Sequence, residues 1–155
     1  MAAASESLAG LRVRCWHPHF LVVEKPSGLL SQPGLGAALS DSLITRVQAV
    51  RPELRLVHRL DRDTSGLLLL ARDQASLKLL GGLFADRKVH KLYAADVHGH
   101  PKALSGSVRL PLARLAAHPP RYGPHRDGRS CLTLWRCAQL GEDRSRLWLA
   151  PRTGR

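Results

Sequence analysis

Ten residues, Val57-His58-Arg59-Leu60-Asp61-Arg62-Asp63-Thr64-Ser65-Gly66, gather two carboxylates, two guanidiniums, an imidazole and two hydroxyls just ahead of four leucines, Leu67 to Leu70. Charge held between apolar segments is costly unless it is paired or used. The stretch is therefore a candidate for carboxylate chemistry, either nucleophilic attack or proton abstraction. Asp, Thr, Ser and Gly also build turns, so a solvated turn between two strands accounts for the same composition. Asp61 and Asp63 compete for the reactive role. A second candidate is Tyr93, which follows Lys88, His90 and Lys91. An aromatic ring beside positive charge suits one flipped nucleobase, and it suits core packing equally well.

Other chemistries find little support. The chain has no G-x-x-x-x-G-K-[ST] phosphate loop, no G-x-G-x-x-G after a strand and no H-E-x-x-H. Cys15, His17 and His19 alternate, as do His98 and His100, but neither group has further ligands at a recognisable spacing, so no metal is expected. Cys15, Cys131 and Cys137 are odd in number and form no C-x-x-C pair, which fits a reducing compartment. Trp135 and Trp148 fall in a hairpin pattern and are expected in the core, since three tryptophans and two tyrosines are few for serial base stacking.

Composition narrows the partner. The chain of 155 residues carries 24 Lys/Arg against 12 Asp/Glu, a net +12, with 44% apolar residues, enough for one domain with a real core. Residues 100–155 hold 11 basic residues against 3 acidic ones, so that third supplies +8 of the excess. A polyanion such as RNA is the natural counterpart, and a ribosome-associated or membrane-surface protein would share the signature. The first residues lack a secretory leader and no apolar run reaches the length of a membrane span, so a soluble, cytoplasmic monomer is expected.

The elements that must position these groups can be read in order. Residues 1–14 are expected as a disordered lead-in and 15–155 as one domain. Phe20 to Lys25 reads as a short, largely buried strand ended by the turn chemistry of Pro26-Ser27-Gly28. Leu43, Ile44, Val47 and Val50 share a helical face, with Ser40 or Asp41 as the cap and Arg51-Pro52 as the stop. Leu54 to Val57 is extended and Leu67 to Ala71 is a central strand. From Asp73, a cap, Leu77, Leu80 and Phe84 mark a second helix through Gly81-Gly82, and Lys91 to Val97 alternates as a strand. His98 to Gly128, rich in proline and glycine, is expected as a long functional loop or as strands too short to recognise. Cys131 to Leu140 and Ser145 to Ala150 form a hairpin. This order argues for an α+β fold, a mixed, largely antiparallel sheet flanked by helices.

Taken together these segments resemble a known family. The run from His58 to Ala71 resembles the signature segment of the RluA-type RNA pseudouridine synthases almost residue for residue. Leu21 to Gly34 is similar to the segment that opens their catalytic domain, and Lys91-Leu92-Tyr93-Ala94-Ala95 to their K-x-Y segment. Gly128 to Trp135 resembles the G-K/R-x-A-x-T stretch, with Cys131 in the alanine place. Leu147 to Arg155 looks like the start of a motif that usually continues T/S-H-Q-L/I-R, so the domain is expected to be C-terminally incomplete.

The resemblance implies isomerisation of uridine to pseudouridine in RNA, without cofactor or metal. It implies Asp61 as the catalytic carboxylate, in preference to Asp63. Tyr93 becomes the ring on the target base and Arg155 the guanidinium that pairs with the carboxylate. Arg59 matches the residue that fills the stack where the uridine leaves, and His58, Arg62 and Lys91 are expected to contact RNA. A tRNA anticodon stem-loop and a large-subunit (23S) rRNA hairpin are the implied substrates. An RNA-binding module without catalysis is the alternative, and a ribosome-associated structural protein a third.

Overall fold

The computed structural model describes residues 7–116 and 121–153, and it divides into two units, Met1–Asp86 and Arg87–Arg155. The described residues of the first open in strand, within the stretch where a disordered lead-in is expected. Ser7–Leu8 (β1) turns through Ala9 and Gly10 into Leu11–Trp16 (β2), and both loop residues have positive φ, 52° and 75°. Two left-handed residues match the twist of the flanking strands, which makes Gly10 apt for the second place. The reason for the ordering is burial: Leu11 and Val13 point into the core while Arg12 and Arg14 face Glu24. Residues 1–6 of the expected lead-in lie outside the described residues.

Phe20–Lys25 (β3) forms where alternation places it, between β2 and Gly66–Ala71 (β5), and Arg55–Leu56 (β4) closes the far edge. The five strands run in the order β1-β2-β3-β5-β4, all antiparallel. Among the described residues the parallel element in the expected mixed sheet is confined to one isolated bridge, Leu30 to Ser42. Register sets Leu21 opposite Leu70 and Val23 opposite Leu68, all four buried. Against that face packs Leu43–Val50 (α1) through Leu43, Ile44 and Val47, joined by Leu29 and Leu54. Each fully buried leucine contributes about 1.5–3 kcal/mol.

The cap of α1 is Ser42, not Ser40 or Asp41. Ser42 and Thr45 form a reciprocal capping box: Thr45 N donates to Ser42 Oγ (3.3 Å) and Ser42 N to Thr45 Oγ1 (2.9 Å). Asp41 instead holds Arg46 through two hydrogen bonds of 2.7 and 2.6 Å. Gln74–Ala85 (α2) is capped by Asp73, as its sequence indicates, and passes through Gly81 and Gly82 where a side chain would meet nothing within 4 Å.

The second unit is built on Tyr93–His98 (β6), Ser105–Arg109 (β7), Leu132–Leu140 (β10) and Arg144–Pro151 (β11), ordered β6-β11-β10-β7 and antiparallel throughout. Leu112–Ala116 (β8) and Arg121–Pro124 (β9) make a separate two-stranded ribbon. The expected long loop thus contains three strands. They escape pattern reading because β7 is exposed along its whole length and shows no alternation of burial. The expected hairpin is present as β10 and β11, but Trp148 is 44% exposed and Trp135 half-buried, so neither is a fully buried core residue. Trp135 covers Gly106 of β7, where a Cβ would lie 3.0 Å from the indole.

Candidate active site

The charged stretch is a braced loop joining β4 to β5, and three neighbours hold it. At its start, Val57 N donates to Leu69 O (3.1 Å) and Leu69 N donates to His58 Nε2 (3.2 Å), so the imidazole completes the ladder where the strand ends. The same ring stacks on Phe84 of α2 with centroids 4.5 Å apart. His58, expected as an RNA contact, is thus engaged in holding the loop to the sheet and to α2.

Ser31 secures the next residue from both sides. Its hydroxyl donates to Leu60 O (2.6 Å) and accepts from Leu60 N (3.0 Å), and it is 4% exposed. With Leu60 turned toward the core, the chain closes a turn in which Thr64 N donates to Asp61 O (3.2 Å). Asp61, Arg59, Arg62 and Asp63 all lie exposed around it. Gly66 leads into β5 with φ of 136°, a conformation that side chains disfavour.

The third brace is Lys25. Alternation along β3 puts it on the same face as Leu21 and Val23, and it is 1% exposed. Its ammonium donates to Pro26 O (2.9 Å), Leu29 O (2.6 Å) and Arg62 O (2.8 Å), which uses all three protons. Gly28 N also donates to Arg62 O (2.9 Å), Arg62 Nε to Gly28 O (3.2 Å), and Ser27 Oγ to Asp63 O (2.8 Å). The 26–31 loop and the Asp61 loop are therefore zipped together through backbone atoms, leaving the acidic side chains unspent. Burial pushes the Lys25 pKa below its ordinary value, and the charges of Asp63 and then Asp61 work against that fall. A fixed cation thus lies within electrostatic reach of both carboxylates.

Sequence reasoning singled out Asp61 and passed over Lys25, Ser27 and Ser31. The signal was present: a lysine at the third inward position of a buried strand has to be explained. In the second unit, Tyr93 opens β6 opposite Leu149, half-buried, and Lys91 just before it lines a cavity. Arg155, expected as the partner of Asp61, lies outside the described residues. Asp61 is exposed in this structure, unlike the buried carboxylate that such a partner would serve. Among the described residues no group of three or more His, Cys, Asp or Glu could hold a metal, and no helix is long and apolar enough to cross a membrane.

An antiparallel α+β unit that presents an acidic turn on a braced loop defines the class. Residues 19–155 match the model of the RNA pseudouridylate synthase family, and the chain belongs to that family. It is 39% identical over 139 residues to the dual-specificity RNA pseudouridine synthase RluA of Salmonella typhi, covering 88% of this chain and 64% of that one. The namesake from Escherichia coli K12 is 38% identical over the same span and coverage. These relatives place the chain among the RluA-type members, and it spans less than two thirds of their length. The fold is shared with human RNA pseudouridylate synthase domain containing 1, with a TM-score of 0.81 at 23% identity over 99% of this chain and 64% of that one.

Proposed function

We propose that this chain converts uridine to pseudouridine within structured RNA, with Asp61 as the reactive carboxylate. The observation that carries this reading is the loop itself, in which hydrogen bonds to the backbone of residues 60, 62 and 63 hold the turn while the Asp61 side chain stays exposed. The reaction breaks the C1′–N1 bond, turns the uracil and joins C1′ to C5; C5 gives up its proton and the freed N1 takes one up. It is neutral in electrons, so a carboxylate acting at the sugar or base, with a group to take the C5 proton, covers its needs. In this reading Tyr93 meets the uracil ring and takes part in that proton transfer, and Arg155 pairs with Asp61. Arg59 fills the gap left by the flipped nucleotide.

The substrates proposed are a tRNA anticodon stem-loop and a large-subunit rRNA hairpin, acted on by a cytoplasmic monomer. The match to relatives named for dual specificity supports two kinds of RNA without identifying them. A single-turnover assay on a uridine-bearing stem-loop, comparing this chain with Asp61→Asn, is the test. Product from the native chain and none from the variant is expected; equal product from both refutes the role of Asp61. The net charge of +12 also fits a second reading, RNA binding without catalysis, which predicts a bound stem-loop and no product from either chain.

A further inference from the structure

A cavity of about 250 Å³ opens in the second unit, between the segment leading into β6 and the end of β11. Arg87, His90, Lys91 and Arg152 line it together with apolar walls such as Val89 and Pro151, and no carboxylate does. Among the described residues none of these four side chains is in an ion pair. Three cationic residues lining one cavity with no acid among the lining favour an anion there.

The backbone around the cavity is specific rather than loose. Arg152 N donates to Leu132 O (2.8 Å) and Leu132 N to Thr153 Oγ1 (3.2 Å), which fixes the end of β11 beside β10. Arg87 takes a φ of 58°, a conformation that glycine adopts without strain, so an arginine is held there against local preference. The volume is below the roughly 300–1,000 Å³ of typical small-molecule sites. It suits one phosphate with part of an attached sugar, and guanidinium and ammonium donors are the groups that bind phosphate.

We infer that this cavity is a phosphate subsite, which seats one backbone phosphodiester of the RNA strand. The assignment of the phosphate to RNA rests on the function proposed above, whereas the site's affinity for phosphate does not. Arg152 is its most telling member, since it lies outside the residues given a role in the uridine chemistry.

Two measurements on the full chain test it. The first follows binding of a uridine-bearing stem-loop against salt for the native chain and Arg152→Gln. Loss of one phosphate contact lowers the slope of log affinity against log salt by about 0.7–0.9 and weakens binding to loops with and without uridine alike. A native chain that binds with an unchanged slope in the variant overturns the RNA subsite. The second adds inorganic phosphate and follows the amide resonances of residues 87–92, 150 and 152, which are expected to shift in the native chain and not in Arg152→Gln. If the native chain binds no RNA, the proposed function fails while those shifts still establish the phosphate site. Silent amides overturn the site itself.

Discussion

Replacing Lys25 with methionine tests whether the Asp61 loop is held from below. The substitution keeps an unbranched apolar stem in the buried position and deletes the ammonium with its bonds of 2.9, 2.6 and 2.8 Å to the carbonyls of Pro26, Leu29 and Arg62. Hydrogen bonds from a charged donor are worth about 1.5–3 kcal/mol each, so the gross loss is at least ~4.5 kcal/mol. Against it stands the several kcal/mol needed to bury an ammonium, which the variant no longer meets. Arg62 O keeps its bond from Gly28 N, so only part of the acceptor set is orphaned. The net expectation is a destabilisation of roughly 2–4 kcal/mol, read from denaturant unfolding.

Function should fall by more than the folded fraction accounts for, because the turn carrying Asp61 loses a brace on Arg62 O. Single-turnover isomerisation under conditions where the variant is fully folded should drop about 10–100-fold, since misplacement by an ångström has that scale of effect. The pH dependence gives an independent sign. Burial holds the Lys25 pKa below its ordinary 10.5 in the folded state, so between the two values the unfolded chain binds more protons. Stability of the native chain should therefore rise with pH in the alkaline range below 10.5, relative to Lys25→Met. A variant within 0.5 kcal/mol of the native chain (the ~0.5 kcal/mol scatter of neutral substitutions), with an unchanged rate, would refute the bracing argument.

Three further outcomes follow from the same structure. Ser42→Ala removes the half of the capping box on α1 in which Ser42 Oγ accepts from Thr45 N, keeps the bond from the backbone N of residue 42 to Thr45 Oγ1, and should cost about 1 kcal/mol, checked by urea unfolding; Ser40→Ala, at the site expected to cap, should change little. Asp73 is held below its usual carboxylate range by its bonds to Ser76 N and Oγ, so it stabilises the fold above the unfolded pKa and loses this as pH falls through the folded one; Asp73→Ala should lower the thermal midpoint at neutral pH and leave it unmoved in strong acid. Arg87→Gly relieves the φ of 58° and should raise stability by about 0.5–1 kcal/mol while weakening RNA binding; a stabilised variant with native affinity would separate the backbone from the phosphate site.

The parts of the fold that could be read from sequence are those where burial alternates. β3 runs over the predicted Phe20–Lys25, and α2 starts from Asp73 as its side chain indicates. What could not be read has a common cause, the absence of that contrast. The strands of the 105–124 region are exposed on most positions and are held by pairing, Gly106 with the distant Trp135 of β10 and Arg114 with the nearby Tyr122 of β9. At the amino end, Leu8, Leu11 and Val13 were too few to outweigh the small residues before them, yet two of the three are enough to seal the sheet edge.

The candidate site divides along the same physical line. The turn was legible: Asp61 stands on one, as a cluster of Asp, Thr, Ser and Gly requires, while the preference for Asp61 over Asp63 rests on the resemblance. Support was not legible, because it consists of backbone carbonyls at Pro26, Leu29, Leu60, Arg62 and Asp63 that any residue would supply. A sequence can reveal such a brace only from the donor side. There the evidence is one lysine at an inward position of β3 and two serines after it, each a polar group whose burial or placement would be unexplained unless something nearby needed to be held. The exposed carboxylates of the turn follow as a consequence, since neighbours that bind the backbone leave the side chains of Asp61 and Asp63 at the surface.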